Sequence, residues 1–152
     1  MGSTVVIKMG GGLITDKSKH KSVKMGVIDS LSNMVSILIE EGNSVIIVHG
    51  AGSFGHLTAK EWGLSEGVKE EISEEQRGAV VQVRADMIEL CGFVMRSLEG
   101  RGLECKSLPP SNWATGTGSD FSGSLQGFIE SSQSEVMVTF GDVVEKDDHS
   151  EF

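Results

Sequence analysis

Cysteine is nearly missing from this 152-residue chain. Cys91 and Cys105 are its two thiols, and their spacing suits neither a metal knuckle nor a C-x-x-C redox pair. They fit a disulfide scaffold poorly and read as ordinary buried thiols of a reduced, cytoplasmic protein. No apolar run reaches membrane-spanning length. The opening residues lack the long apolar stretch of a secretory signal. Positive charge is also scarce. The formal net charge is -9, which argues against nonspecific nucleic-acid binding. The expectation is one domain with a real core and neither nucleic acid nor membrane as partner.

The charge deficit is uneven. Residues 1–60 hold Lys8, Lys17, Lys19, Lys21, Lys24 and Lys60 against Asp16, Asp29, Glu40 and Glu41, a net +2. Residues 61–152 therefore carry −11 of the total −9. The positive end coincides with the two most glycine-rich stretches, "KMGGGLITDK" at 8–17 and "VHGAGSFGH" at 48–56. A local positive field in an acidic protein suits a small anionic ligand.

Hydrophobic patterning places these stretches. "TVVIKM" at 4–9 and "SVIIVHG" at 44–50 read as buried strands, each ending in glycine. Residues 10–22 read as a loop. Val27, Leu31, Met34 and Leu38 give helical spacing over 27–42, with Gly42 as the stop. A short helix is expected over 53–63 with Ser53 as N-cap, then an acidic loop over 64–75. "SEEQ" at 73–76 reads as a capping box opening a long helix to about Leu98. Its apolar stripe is Val80, Val83, Met87, Leu90, Val94 and Leu98. A strand over 102–110 stops at two prolines. Loop follows over 111–123, a short helix near 124–131 and a strand over 134–144. This alternation predicts an α/β fold, a three-layer αβα sandwich with a largely parallel open sheet.

In such sheets ligands bind beyond the carboxyl ends of the strands. Both glycine stretches sit at such ends. Glycine lets a ligand approach the backbone, and successive N–H groups form an anion nest. Gly10, Gly11 and Gly12 thus offer donors to a phosphate, with Lys8 and Lys17 supplying charge. The first stretch is neither G-x-x-x-x-G-K-[ST] nor G-x-G-x-x-G. Two phosphate-type loops on parallel strands nevertheless point to phosphoryl transfer, donor on one and acceptor on the other. His56 falls one turn into a helix that starts at a glycine nest, where it can face an anionic oxygen. His49 closes a strand and suits a backbone-supporting role. His20 and His149 have no comparable setting.

"IKMGGGLITDK", "VHGAGSFGH" and "FGDVV", in this order, resemble the amino acid kinase superfamily. "ITDK" combined with "GAGSFGH" resembles its isopentenyl phosphate kinase group. The resemblance covers essentially the whole chain and implies ATP-dependent phosphorylation of isopentenyl phosphate to the diphosphate. It implies that Lys8 and Gly10–Gly12 lie against the ATP phosphates and that Lys17 stabilises charge on the moving phosphoryl group. Ala51 and Gly52 would contact the substrate and ATP phosphates. His56 would hold the acceptor monophosphate, and Gly141 would approach it from the other side. Ala79, Val80, Val83 and Met87 become candidates for the isoprenoid tail pocket, with plain core packing an equal reading for each. Mg2+ would arrive on the nucleotide, without a protein ligand. The resemblance also implies a homodimer or other self-association.

The chain departs from the family at position 12, where Gly12 stands in place of the usual serine. Family members also continue well beyond "GDVV", into a half that grips the nucleotide's base and ribose. The expectation is therefore an N-terminal, phosphate-acceptor portion, with the nucleotide half missing and little activity alone. The alternatives are a kinase of another small phosphate or phosphonate, such as fosfomycin, and a phosphate-binding subunit without catalysis.

Overall fold

A computed structural model describes residues 2–131, 134–147 and 152. Four parallel strands form the sheet: β1 (Thr4–Met9), β2 (Ser44–His49), β3 (Glu104–Ser107) and β6 (Glu135–Phe140), in the order β1-β2-β6-β3. A second, two-stranded antiparallel ribbon pairs β4 (Ala114–Thr115) with β5 (Ser122–Gly123). The helices are α1 (Gly11–Ile14), α2 (Met25–Glu40), α3 (Gly52–Glu61), α4 (Ser73–Glu99) and α5 (Gln126–Ile129).

Strand alternation decides the layers. Met9, Val45, Ile47 and His49 face the main core with Val136, Val138 and Phe140. There they meet Ile28 and Val35 of α2, Phe54 of α3, and Val83, Met87, Leu90, Val94 and Leu98 of α4. The opposite face carries the thinner layer of α5 and the ribbon. A groove of about 510 Å³ separates that layer from the sheet, lined by Ile46, Val48, Trp113, Phe128 and Ile129. Trp113 makes edge contacts with Phe121 and Phe128 and donates from Nε1 to the Leu108 carbonyl at 3.1 Å.

The long helix forms as its apolar stripe predicts, and all six stripe residues are buried. Its start differs. Ser73 makes no cap, and Ile72 occupies the N-cap position. Gln76 turns inward instead. It accepts the Lys69 N–H at 2.8 Å and donates to the carbonyls of Trp62 (2.9 Å) and Gly67 (3.2 Å). A buried amide saturated by loop backbone has no reach left for a capping box. In α2 the buried stripe is Ile28, Ser32 and Val35, while Met34 is 58% exposed. Gly42 ends that helix in the left-handed conformation (φ 85°). The acidic segment over 64–75 contains two 3-10 turns, Leu64–Glu66 and Glu70–Ile72. The expected loop over 111–123 holds the ribbon, and that over 10–22 holds α1. His149 lies outside the described residues.

His49 supports the backbone, as its position at the strand end suggests. It is buried, stacks on Phe140 at 5.0 Å, and its Nδ1 donates to the Gly50 carbonyl at 3.0 Å. Nε2 has no hydrogen-bond partner among the described residues. Burial, partly offset by that carbonyl, pushes the His49 pKa down to about 4. The unfolded chain takes up this proton near pH 6.5, before the folded one does. Stability should therefore fall as pH drops from about 6.5 to about 4, by roughly 3 kcal/mol at most from this group. Urea unfolding of wild type and His49→Gln at pH 7, 5.5 and 4.5 checks this. The wild type should lose more stability across the series, and parallel profiles would remove His49 as the cause.

Candidate functional site

Sheet register builds the site. Met9, His49 and Phe140 lie side by side across β1, β2 and β6. Each is followed by glycine, so Gly10, Gly50 and Gly141 share one edge of the sheet. The Gly50 N–H donates to Met9 (2.8 Å) and the Gly141 N–H to His49 (3.1 Å), carrying the ladder one residue past the strands. Lys8 pairs in register with Val48 and is exposed on the face away from the main core.

The two glycine stretches then interlock. A β-carbon on Gly11 would overlap the Gly52 amide nitrogen, and one on Gly50 would lie 2.6 Å from the Gly11 nitrogen. Gly52 has φ 50°, and a β-carbon there would strike the Thr15 hydroxyl. That hydroxyl is the pin. It donates to the Gly11 carbonyl at 2.6 Å and accepts the Ser53 N–H at 3.0 Å. Ser53 is therefore not the cap of α3. It sits inside the first turn with its amide satisfied from the other loop, and its own hydroxyl accepts the Ser22 N–H at 3.2 Å.

Lys17 is exposed and folds over Gly12, where a β-carbon would lie 3.0 Å from its Nζ. Bare backbone at position 12 thus gives the lysine stem its room. Gly10 is open, with nothing within 4 Å of where a side chain would begin. At the start of a helical turn the first amides have no intrahelical acceptor. The Gly10–Gly12 backbone with Lys17 above it is an arrangement that suits a small anion.

Beside this edge opens a cavity of about 970 Å³. Ala51, Gly55, His56, Val83 and Gly141 line it, together with Asp142 and the segments 64–68 and 143–147. The structure therefore brings Ala51, His56, Gly141 and Val83 together. Ala79, Val80 and Met87 are buried in the core and do not line the cavity. Lys8, Gly10–Gly12, Lys17 and Gly52 stand at the sheet edge outside its lining. His56 is placed by close packing one residue earlier. A β-carbon on Gly55 would lie 3.0 Å from Met87 Sδ and 3.4 Å from Val83 Cγ1.

Several residues of this region escape sequence reasoning. Burial raises the Asp142 pKa, with its own-loop Val143 N–H and Arg84 acting against that. Arg84 holds the same loop, donating to the Val143 carbonyl (3.0 Å) and to Glu145 (2.9 Å). Lys21 donates to Glu89 and Asp86, and those bonds raise its pKa. Thr15 had a signal, its place in "ITDK". Arg84 and Lys21 had none, because the groups their side chains bond are 59 or more residues away.

The pattern of the amino acid kinase family matches residues 3–148. The chain belongs to that family. The isopentenyl phosphate kinase of Thermoplasma acidophilum is 33% identical over 146 residues, covering 96% of this chain and 56% of its own length. That of Methanothermobacter thermautotrophicus is 33% identical over 147 residues, covering 92% of this chain and 53% of its own length. The crystal structure of the T. acidophilum enzyme in its product complex superposes with a TM-score of 0.80 at 29% identity, over 99% of this chain and 59% of that one. The chain thus spans a little over half the length of these relatives.

The interlock predicts a contrast between neighbouring glycines. Gly11→Ala forces a β-carbon into backbone that cannot yield and should cost about 2–4 kcal/mol. Gly10→Ala meets open space and should stay within about 0.5 kcal/mol. Denaturant titration of both variants measures this, and equal losses would refute the interlock.

Proposed function

We propose that this family member acts in phosphoryl transfer from ATP to a small monophosphate, with isopentenyl phosphate as acceptor. The observation that carries the reading is the shared edge of Gly10, Gly50 and Gly141, with Lys17 above one loop and His56 in the cavity beside it. The similarity to proteins named isopentenyl phosphate kinase supports the acceptor.

ATP, with Mg2+ on its phosphates, supplies the phosphoryl group. On this reading the Gly10–Gly12 amides and Lys8 bind the nucleotide phosphates. Lys17 offsets charge on the oxygens of the transferring group, where the interaction strengthens as charge spreads. His56 donates to the acceptor monophosphate, and the Ala51, Gly52 and Gly141 backbones hold it in line. Val83 contributes apolar surface for the short hydrocarbon tail. A histidine donor among backbone amides suits a dianionic phosphomonoester better than a monoanionic carboxylate.

Further proposals follow from the same reading. The reaction belongs to isoprenoid synthesis in the cytoplasm, in keeping with two free thiols. The molecule self-associates as a homodimer, since β1 is an edge strand whose Val6 is 63% exposed.

Calorimetric titration with isopentenyl phosphate tests the proposal. Binding should exceed that of inorganic phosphate and of fosfomycin, and His56→Ala should weaken it by about 2 kcal/mol. Indifference to His56, or equal affinity for the three ligands, would reject it. In any form of the protein that turns over isopentenyl phosphate, Lys17→Met should lower kcat more than it raises KM for that substrate. A change in KM alone would make Lys17 a ground-state binder.

A further inference from the structure

The segment carrying Lys17 is a hairpin. Its base is closed by an antiparallel bridge between Thr15 and Val23 and by the Asp16 N–H donating to the Ser22 carbonyl at 2.8 Å. Bonds within the tip are local. Asp16 Oδ1 accepts from the Ser18 N–H (3.0 Å) and hydroxyl (2.7 Å), and Lys19 lies 3.8 Å from Asp16 Oδ2. These shape the tip but do not fix it to the body of the protein.

Ser22 ties the base to the Ser53 hydroxyl at 3.2 Å, and Lys21 carries the connection on to the long helix. Its N–H donates to the Ser53 carbonyl in the second glycine stretch at 3.1 Å. Its ammonium reaches α4, 3.1 Å from Asp86 Oδ1 and in contact with Glu89, and stands 6.0 Å from the Phe54 ring centroid. The Asp86 side chain is only 3% exposed and also accepts from Gln82 Nε2 at 2.9 Å. Lys21 is moreover the single non-glycine residue among those described with positive φ, 49°. Glycine would take that conformation freely. An L side chain holds it only where its surroundings require it. Here the requirement is the long reach to a buried carboxylate, which glycine cannot supply.

We infer that Lys21 is a positioning residue for Lys17, its bond to Asp86 and Glu89 setting where the Lys17 ammonium stands over Gly12. The same helix packs against Gly55 and so places His56. Charge on the donor side and the histidine on the acceptor side are thereby referenced to one rigid element, which in-line transfer needs. The role assigned to Lys17 rests on the phosphoryl-transfer reading. The anchoring of its hairpin does not.

Amide exchange and kinetics on Lys21→Gln, Lys21→Gly, Lys21→Arg and the milder Glu89→Gln test the inference. In Lys21→Gln the protected amides of Asp16, Lys21 and Ser22 should exchange at least about tenfold faster, while those of Ile47 and Val138 in the sheet keep their rates. Lys21→Gly relaxes the backbone but removes the anchor, so it should behave like Lys21→Gln. Lys21→Arg should restore protection, and Glu89→Gln should raise the same amides by a smaller factor. In any form of the protein that turns over isopentenyl phosphate, Lys21→Gln should lower kcat about tenfold with KM for isopentenyl phosphate within about twofold, and Lys21→Arg should recover it. Hairpin amides unchanged in Lys21→Gln, or rising only in step with the sheet, would overturn the inference. If the unmodified chain does not bind isopentenyl phosphate, the phosphoryl-transfer reading fails and the exchange data alone decide the anchor.

Discussion

The site depends on two loops meeting backbone to backbone. Gly11 lies against Gly52, and Gly50 against Gly11, closer than any side chain permits. The Thr15 hydroxyl bonds both loops at once, donating to the Gly11 carbonyl and accepting the Ser53 N–H. This contact converts two strand ends into one surface of backbone amides. Without it, the loop that leads to Lys17 would lose its contact with the start of the helix that carries His56.

The sheet supplies the second constraint. Parallel pairing in register aligns Met9, His49 and Phe140, so three glycines emerge together. His49 bears the local cost, buried beneath the edge and neutral, with one ring nitrogen unpaired among the described residues. The helix α4 supplies the third. It fills the core with one stripe, closes on Gly55 with Met87 and Val83, and reaches the flanking loops through Arg84, Asp86 and Glu89. One helix thereby touches the Lys17 hairpin, the start of α3 and the segment after β6.

Much of this was legible in the residues. β-branched runs ending in glycine located β1 and β2, and the 3.6-residue period of Val80 to Leu98 located α4. The misreadings share a cause. Ser53 and "SEEQ" look like local caps because a cap is read from adjacent residues. In the fold the Ser53 amide is served by Thr15, 38 residues away, and Gln76 serves the loop before it. Met34 fits the helical period of α2, but the sheet meets that helix along Ile28 and Val35. Periodicity gives a stripe's spacing and leaves its rotation to the packing partner.

The sequence carried the motifs by which the chain resembles its family, and its local chemistry determined the α/β order and the glycine-rich stretches flanked by lysine and followed by histidine. Glycine, β-branching and charge act within a few residues, so they can be read in a line. The tertiary structure alone decided that Val83 faces the cavity while Ala79, Val80 and Met87 fill the core. It alone paired Lys21 with a carboxylate 65 positions away and laid Lys17 over Gly12. Those outcomes depend on which helix face meets which loop, and that is set by the simultaneous packing of distant elements.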